Sequence, residues 1–520
     1  MYSNKTNINL LTAHLLAHNI EDIVVCPGSR NAPIIHNLYE VGSKFRLHPI
    51  TDERSAAFVA IGLWTKKKKP IAICVTSGSA ILNCMPGIAE AAFRQIPIIM
   101  ISADRPEVLL GKLDGQTLPQ QDACSPYAQC WQIEEITTEE ALKQQNLCLA
   151  EAFSTLYKRG GQPIHLNIPI SEPLFEFTTT ELPTAEILPQ DWHQTETISP
   201  RWLELLHKSK LPLLIIGQYE GNLIPAVKHF RQYNQLLVYA EHISNQQDAR
   251  MALWLDQQKL CPDVVIHIGG CLVNKFFKQH LRTITNLPVL RIDETDDCPD
   301  TFLQHAEKLK ASPAELLQQL ADILPSKSEV ANAYKQLSDE IAPFAYPIEA
   351  LFVANSTAVR WTNRQWPIIQ TPVYCNRGTN GIEGSLSTAA GYSLVADNKV
   401  LCIIGDLSFF YDANALWNQH LDGRLRILLL NNQCGAIFHH LPGLKNVAAL
   451  PNIVAAAHHN TAKGIATSYH CTYIEAKTSN LDQDADALIN RLLKEDSLRP
   501  VILELFCPIY LHLLSQHFTL

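Results

Sequence analysis

Short apolar runs of strand length alternate with helical stretches along almost the whole chain. Examples are DIVVCPGS, IAICVTSGSA and IPIIMISAD, then LPLLIIGQ, DVVIHIGG and PVLRIDE, and finally KVLCIIGDL, RILLLNN and VILELFC. Continuous apolar runs indicate strands that are buried on both faces, and the intervening helices favour parallel sheets. The polar, proline-bearing segment 178–200 indicates a linker. We therefore expect an α/β protein of three consecutive doubly wound domains with mainly parallel sheets, spanning residues 1–180, 181–345 and 346–520.

The composition of the 520 residues agrees with a globular protein, and roughly 150 residues per domain allows three domains. Apolar residues make up 47% and charged residues 18%, and no apolar run approaches the roughly 18 residues of a membrane span. The N-terminus MYSNKTNINLL lacks the basic start and small-residue cleavage site of a secretory signal, so a cytoplasmic location is expected. The formal net charge of −9 argues against a broad basic surface for nucleic acid.

Several familiar motifs are missing. The 14 cysteines are scattered without a CxxC pair, which predicts neither a zinc site nor a disulfide framework. No strand is followed by G-x-G-x-x-G, and no phosphate loop G-x-x-x-x-G-K-[ST] occurs, so ordinary NAD-linked and ATP-linked functions lose weight. The basic run KKKKP at 66–70 is interpreted as a solvated turn.

Two polar residues follow neighbouring predicted strands in the segment 400–438. One strand ends at Gly-Asp with Asp406, and the next ends at Asn-Asn with Asn432. Ligands gather beyond the carboxyl ends of parallel strands, where these two side chains would emerge side by side. Carboxylate and amide oxygens suit Mg²⁺, whose other positions are filled by water and phosphate oxygens. The alternative is that Asp406 only caps the next helix and that Asn432 belongs to a turn.

The stretch TDERSAAFVA at 51–60 opens an apolar run with three charged side chains. Thr51 or Asp52 is suited to cap a helix, and Glu53 is then an ordinary acid of the first turn. The other interpretation is that Glu53 is a catalytic acid. The two roles are compatible, because one residue caps while the next points at a ligand.

The pairing of Asp406 with Asn432 resembles the metal and diphosphate motif of thiamine diphosphate-dependent enzymes, which begins Gly-Asp-Gly and ends Asn-Asn. Six stretches are similar to the menaquinone-pathway branch of that family, and the likeness extends over nearly the whole chain. They are CPGSRNAPI (26–34), TDERSAAFVAIGL (51–63), TSGSA (76–80), ISADRP (101–106), NRGTNGIEGSLSTAAG (376–391) and GDLSFFYDANAL (405–416). Leu407 in place of the second glycine favours this branch over pyruvate decarboxylases and acetolactate synthases.

The resemblance implies a thiamine diphosphate-binding fold in both end domains and a transferase activity. The succinyl-semialdehyde carbanion equivalent from 2-oxoglutarate would add to isochorismate, with loss of CO₂. Thiamine diphosphate and Mg²⁺, or Mn²⁺ in its place, are the implied cofactors. In the family, the equivalents of Glu53 and Asp406 meet between subunits, which implies a homodimer or a homotetramer.

The resemblance also implies roles for particular residues. Because both substrates are dicarboxylates, a cluster of cations is expected, and guanidinium groups bind carboxylates through two parallel hydrogen bonds. Taken singly, each arginine is more often a solvated surface charge, and the alternative for the apolar residues is plain core packing. The implied catalytic residues are Ser29, Arg30, Glu53 and Gln116; the substrate-binding residues are Arg30, Arg105, Lys275, Ser356, Arg360 and Arg377, with Ser356 and Arg360 on one helical face. The implied cofactor-binding residues are Glu53, Ser79, Gly405, Asp406, Leu407, Ser408, Asn432, Ile437, Phe438 and Leu441; the metal ligands are Asp406, Asn432 and Cys434.

Two positions depart from the family pattern. Cys434 replaces a glycine, which is tolerable if the position gives only its carbonyl to the metal and strained if it needs a positive φ. Ser79 replaces a common threonine and keeps the hydroxyl. Two other functions stay open: a thiamine diphosphate-dependent decarboxylase or carboligase that uses pyruvate, and a catalytically silent paralogue that binds cofactor as a scaffold.

Overall fold

Three parallel sheets, built from successive segments of the chain, form the framework of the protein. The structure is a computed structural model that describes residues 1–157, 161–189, 195–295, 297–337, 341–441 and 443–507. Every pairing between the named strands of these sheets is parallel. This confirms the predicted α/β fold class. The domain boundaries at 180 and 345 stay a prediction, and the described part of the segment 178–199 contains no helix.

The first sheet has six strands in the order β2-β1-β3-β4-β6-β5. Its strands are β1 (Asp22–Val25), β2 (Arg46–Pro49), β3 (Ile71–Val75), β4 (Ile98–Asp104), β5 (Gln129–Gln132) and β6 (Ile164–Pro169). The accompanying helices are α1 (Thr6–Ala17), α2 (Ala32–Glu40), α3 (Glu53–Lys67), α4 (Ala80–Phe93) and α5 (Glu139–Thr155).

The second sheet has five strands in the order β11-β10-β9-β7-β8. Its strands are β7 (Pro212–Ile216), β8 (Leu237–Ala240), β9 (Val264–Ile268), β10 (Val289–Asp293) and β11 (Glu307–Lys310). Its helices are α6 (Pro200–Lys208), α7 (Ile224–Gln232), α8 (Arg250–Leu255), α9 (Lys275–Thr283), α10 (Pro313–Ile323) and α11 (Ser328–Tyr334).

The third sheet has six strands in the order β13-β12-β14-β15-β17-β16. Its strands are β12 (Ala350–Val353), β13 (Val373–Tyr374), β14 (Val400–Gly405), β15 (Leu425–Asn431), β16 (Thr472–Lys477) and β17 (Val501–Phe506). Its helices are α12 (Thr357–Gln365), α13 (Ser385–Leu394), α14 (Asp406–Tyr411), α15 (Lys463–Ser468) and α16 (Leu481–Lys494). The strand order is that of the first sheet, so the two end units share one topology although their sequences show no repeat.

The unbroken apolar runs are explained by a core on each face of a sheet. In β3, Ile71, Ile73 and Val75 belong to one apolar cluster, while Ala72 and Cys74 belong to another on the opposite face. All five side chains are fully buried. Because successive side chains point to opposite faces, a strand covered on both sides needs apolar residues at every position.

The first and third units pack together through α3 and α13. A Cβ at Gly62 of α3 would lie 2.1 Å from the Thr388 carbonyl oxygen, and a Cβ at Gly391 of α13 would lie 2.2 Å from that of Val59. Only glycine therefore allows this helix spacing. Ser55 and Ser387 join the two helices by a hydrogen bond of 2.9 Å between their hydroxyls.

The prediction that the basic run at 66–70 is only a solvated turn is wrong, because its lysines join the first unit to the other two. Lys66 Nζ donates to Glu349 at 2.6 Å and to Asp397 at 2.9 Å, both in the third unit. Lys68 is paired with Glu220 of the second unit. Across the parts of the chain that are described, no helix has the length and apolar character to cross a membrane.

Candidate active site

The centre of the site lies at the carboxyl ends of β14 and β15. These strands are paired in register, with Gly405 opposite Leu430, so the residues that follow them emerge side by side. Asp406 Oδ2 accepts a hydrogen bond from the Asn432 amide at 3.0 Å, and Oδ1 accepts one from the Leu407 amide at 2.7 Å. Asp406 is buried, and burial raises the pKa of its carboxyl. The structure therefore brings Asp406 and Asn432 together as the register predicts.

The turn after Asn432 accommodates a cysteine without backbone strain. The residue with a left-handed conformation is Gln433, with φ 65°, and Cys434 is not among the described residues with positive φ. The Cys434 amide donates to Asn432 Oδ1 at 3.3 Å. The replacement of glycine by cysteine at position 434 thus costs no positive-φ strain.

The donor set at this turn suits a hard divalent cation. The Asp406 carboxylate, the Asn432 amide oxygen and a backbone carbonyl are the oxygen ligands that Mg²⁺ accepts. His458 Nε2 lies 3.5 Å from Asp406 Oδ2, is buried, and has no hydrogen-bond partner among the described residues. Clusters of three His, Cys, Asp or Glu side chains that could bind a metal are absent from the part of the chain that the structure describes. The turn therefore fits a cation that takes one carboxylate and leaves positions for a ligand.

A cavity of about 430 Å³ opens beside this turn and contains most of the residues expected from the second half of the chain. It is lined by Lys275, Ser356, Arg360, Arg377, Gly405, Asp406, Leu407, Ser408, Asn432, Cys434, Ile437 and Phe438. Leu441 does not line it; its amide donates to the Phe438 carbonyl at 3.4 Å. The second and third units both contribute walls, which no local motif reveals.

The cavity concentrates positive charge. Four basic side chains line it: Lys275, Lys278, Arg360 and Arg377. Arg377 is buried, and it donates from Nη1 to Asn355 Oδ1 at 3.0 Å and from Nη2 to the Leu272 carbonyl at 3.2 Å. Burial, and secondarily the charge of Arg377, lowers the pKa of Arg360. In a chain with a net charge of −9, this local cluster indicates an anionic ligand.

Ser356 departs from its predicted place within a helix. It precedes α12, with φ 70° and ψ −123°, and Arg360 Nη1 donates to its carbonyl at 2.8 Å. The two residues are therefore joined across the start of the helix rather than along one helical face. Strained backbone at a non-glycine residue is found disproportionately at functional sites.

The residues expected from the first unit form a second group. Asp52 caps α3, because its Oδ1 accepts from the Arg54 and Ser55 amides, while Glu53 begins the helix. Glu53 Oε2 accepts from Asn83 Nδ2 of α4 at 3.2 Å. Asp52 therefore has the capping role, which leaves the Glu53 carboxylate available for a ligand.

Within this second group, Gln116 lies against Gly78, the residue that precedes Ser79. Gly78 has φ 87°, and a Cβ on it would lie 3.1 Å from the Gln116 Cα. The buried Gln120 accepts from the Gly78 amide at 2.6 Å and donates to the Ala103 carbonyl at 3.1 Å. Gln120 was not predicted from the sequence, although it ties these loops together.

The two arginines of the second group also lie close to each other. Arg30 is buried, and its Nη1 donates to the Ile170 carbonyl at 2.8 Å. Burial and the charge of Arg105 lower the pKa of Arg30. None of the residues of this group lines the cavity beside Asp406: Ser29, Arg30, Glu53, Ser79, Arg105 and Gln116.

Among the lining residues that sequence reasoning missed, three carry an ammonium or amide group that could contact a ligand. They are Lys278, Asn355 and Asn380. Lys278 lies three residues after Lys275 in α9, a spacing that places both on one helical face. Asn355 directly precedes Ser356, and Asn380 belongs to the same NRGTNG turn as Arg377. Each was next to a residue already singled out, and that proximity was the available signal.

Comparison with known proteins decides the family. Residues 6–125 match the family model described as thiamine pyrophosphate enzyme, N-terminal TPP binding domain. The chain is 36% identical over 542 aligned positions to 2-succinyl-5-enolpyruvyl-6-hydroxy-3-cyclohexene-1-carboxylate synthase from Bacteroides fragilis, and the match covers 97% of both chains. The chain belongs to this synthase family. The synthase from Phocaeicola vulgatus is also 36% identical, over 97% of this chain and 96% of its own, and that from Desulfotalea psychrophila is 31% identical, over 96% and 98%.

A solved structure supports the fold. Benzoylformate decarboxylase from Polynucleobacter necessarius superposes with a TM-score of 0.71 and covers 97% of this chain and 99% of its own. At 16% identity this likeness concerns the fold alone. The resemblance to thiamine diphosphate-dependent enzymes is thus confirmed at the level of family and fold. The roles of individual residues stay predictions.

Proposed function

We propose that this chain is a thiamine diphosphate-dependent transferase that makes 2-succinyl-5-enolpyruvyl-6-hydroxy-3-cyclohexene-1-carboxylate for menaquinone biosynthesis. The substrates would be 2-oxoglutarate and isochorismate, the released product CO₂, and the location the cytoplasm. Family membership supports the reaction. The single observation that carries the proposal is the cavity in which four basic side chains adjoin the Asp406–Asn432 turn.

The Asp406–Asn432 turn would hold the cofactor through a metal ion. When bound, thiamine diphosphate supplies the carbanion chemistry that amino acid side chains lack. Asp406, Asn432 and the Cys434 carbonyl would bind Mg²⁺ or Mn²⁺, cations that favour oxygen ligands, phosphate oxygens among them. Ile437 and Phe438 line the adjoining wall and would exclude water from the reacting atoms.

The basic residues would bind and orient the substrate carboxylates. Arg377 is supported by Asn355 and by the Leu272 carbonyl, so its guanidinium has a fixed direction and loses little freedom on binding. Lys275 and Lys278 add charges that are less directional. Two dicarboxylates account for a cluster of this size better than a single monocarboxylate such as pyruvate does.

A second copy of the chain would complete the reaction centre. Glu53 is expected at the aminopyrimidine ring of the cofactor, where its carboxyl would hold a proton, yet Glu53 does not line the cavity that contains Asp406. The two sets of predicted residues would form one reaction centre if the set from the first unit of one copy faced the cavity of another copy. That set contains Glu53, Gln116, Arg30 and Arg105. A homodimer is then the smallest active unit and a homotetramer contains two such pairs. A monomeric variant should bind no cofactor, which sedimentation and cofactor titration together would check.

Turnover measurements test the proposal against its rivals. Isochorismate absorbance is followed in purified protein with thiamine diphosphate, Mg²⁺ and 2-oxoglutarate, and pyruvate replaces 2-oxoglutarate in a matched sample. Loss that needs every component, and 2-oxoglutarate in particular, is the expected result. Loss with pyruvate alone would favour another carboligase. Cofactor binding without loss in either sample would favour a silent paralogue, against which the presence of Glu53, Asp406 and Asn432 already speaks.

A further inference from the structure

We propose that Glu241, a buried acid of the second unit, is a positioning residue that sets the place of Lys275 in the cation cluster. The inference rests on the proposed role of Lys275 and Arg377 in binding substrate carboxylates. Glu241 follows β8 and is 2% exposed. It does not line the cavity itself, so it would act through the loop that precedes α9.

The Glu241 carboxylate holds two consecutive amides of that loop. Oε2 accepts from the Val273 amide at 2.6 Å, and Oε1 accepts from the Asn274 amide at 2.8 Å. Val273 and Lys275, on either side of Asn274, both line the cavity. Hydrogen bonds to a charged acceptor are stronger than neutral ones, and these two leave the backbone before Lys275 little freedom.

The start of α9 is held to the same place by side chains. Asn274 caps the helix, because its Oδ1 accepts from the Phe276 amide at 2.8 Å and from the Phe277 amide at 3.3 Å. The Tyr239 ring stacks on Phe277 with the centroids 4.0 Å apart. The Tyr239 hydroxyl donates to Asp256 Oδ1 at 3.0 Å and lies 3.4 Å from Glu241 Oε1. Because Lys275 is the first residue of α9, these contacts of Asn274 and Phe277 also fix its backbone position.

The same loop is bound from its other side by the cation cluster. Arg377 Nη2 donates to the Leu272 carbonyl, one residue before the amides that Glu241 holds. Glu241 and Arg377 thus fix opposite groups of residues 272–274. Burial raises the pKa of Asp256 to about 7, with the charge of Glu241 as the next cause. Burial also raises the pKa of Glu241, and the hydrogen bonds from the Val273 and Asn274 amides oppose that rise.

Loss of the Glu241 charge and displacement of the loop would have opposite effects on substrate binding, so an experiment can separate them. Removing a negative charge near Arg360 and Arg377 would by itself strengthen carboxylate binding. Glu241→Gln also leaves one of the two amides facing an NH₂ group, because glutamine has a single acceptor oxygen, and this would displace the loop. A positioning role therefore predicts weaker substrate binding, and a purely electrostatic role predicts tighter binding.

The test compares Glu241→Gln with Glu315→Gln, a matched change at an exposed position of α10 in the same unit. We expect Glu241→Gln to raise the KM for isochorismate by about tenfold or more, with kcat changed by less than about threefold, as for a lost binding interaction. Thiamine diphosphate affinity should stay at the wild-type value, and Glu315→Gln should match the wild type throughout. An unchanged or lower KM in Glu241→Gln would overturn the proposal.

Hydrogen exchange gives a readout that needs neither turnover nor a folded variant. In the wild-type protein, the peptide that contains residues 272–277 should exchange slowly even though Val273 and Asn274 precede the helix. Exchange of these two amides at the rate of an open loop would overturn the proposal. If the wild-type protein fails to consume isochorismate, the proposed function fails, and the exchange experiment still judges the role of Glu241 separately.

Discussion

Replacing Asp406 by asparagine should weaken cofactor binding while leaving the fold intact. Its two carboxylate oxygens accept from the Leu407 and Asn432 amides at 2.7 and 3.0 Å. An asparagine keeps one acceptor oxygen, so one amide would face an NH₂ group inside the turn. The unpaired amide lowers the stability of the turn with and without cofactor, whereas the loss of the charged ligand acts on cofactor binding itself. An interaction with a charged group is worth about 1.5–3 kcal/mol. Since about 1.4 kcal/mol is a factor of ten, the dissociation constant for thiamine diphosphate should rise about 10- to 100-fold.

The assay is a titration of thiamine diphosphate at fixed Mg²⁺, followed by calorimetry or tryptophan fluorescence. Asp322→Asn, an exposed aspartate of α10, is the matched control and should keep wild-type affinity. Circular dichroism checks that both variants are folded. Wild-type affinity in a folded Asp406→Asn variant would remove this residue from the metal site and refute the reasoning.

Three further predictions address catalysis, packing and pH. Glu53→Gln should keep Mg²⁺-dependent cofactor binding and lower kcat by about 100-fold or more, as expected for a lost acid–base group; an undiminished kcat would reduce Glu53 to a residue of the first helical turn. Gly62→Ala should lower the free energy of unfolding by about 1–3 kcal/mol, because its Cβ would lie 2.1 Å from a backbone oxygen of α13. Gly464→Ala, which has open space around its Cβ, is the control and should be tolerated in the same urea titration. Equal stabilities of the two variants would contradict the packing argument. Burial raises the pKa of Asp412 to about 6, so the folded state binds this proton more tightly than the unfolded state. The protonated carboxyl therefore contributes stability that is fully present below about pH 4 and is lost as pH rises through 6. Thermal midpoints of Asp412→Asn should lack this part of the pH dependence, and parallel pH curves for variant and wild type would contradict it.

The sequence was most informative where one strand pair determined the geometry. Asp406 and Asn432 are 26 positions apart, yet each follows a strand of one parallel pair, and parallel pairing alone brings them together. The capping role of Asp52 before Glu53 was also predictable, because a helix cap depends on residues that are adjacent in sequence. In both cases the relevant contacts lie within one strand–helix unit, which apolar periodicity and capping residues describe well.

The parts that sequence reasoning missed depend on how separate units pack. Lys66 and Lys68 form ion pairs with the third and second units, which a run of lysines does not reveal. Lys278 faces the cavity only because α9 of the second unit lies against the third unit. The shared strand order of the two end sheets is likewise invisible, because a topology constrains where apolar residues occur and not which ones they are. The finding that Glu53 does not line the cavity likewise depends on how the three units pack, which the sequence does not reveal.

The central claim is that one reaction centre takes Asp406 from one copy of the chain and Glu53 from another. It is tested most directly by unfolding and refolding, or exchanging, an equimolar mixture of Glu53→Gln and Asp406→Ala, each inactive alone, and measuring isochorismate consumption. If the centre is shared, the mixed dimers contain one intact site each, and random association predicts about a quarter of the wild-type rate. If both residues act within one chain, no intact site can form. A mixture that stays as inactive as its components, with mixed dimers demonstrated by mass, would contradict the account.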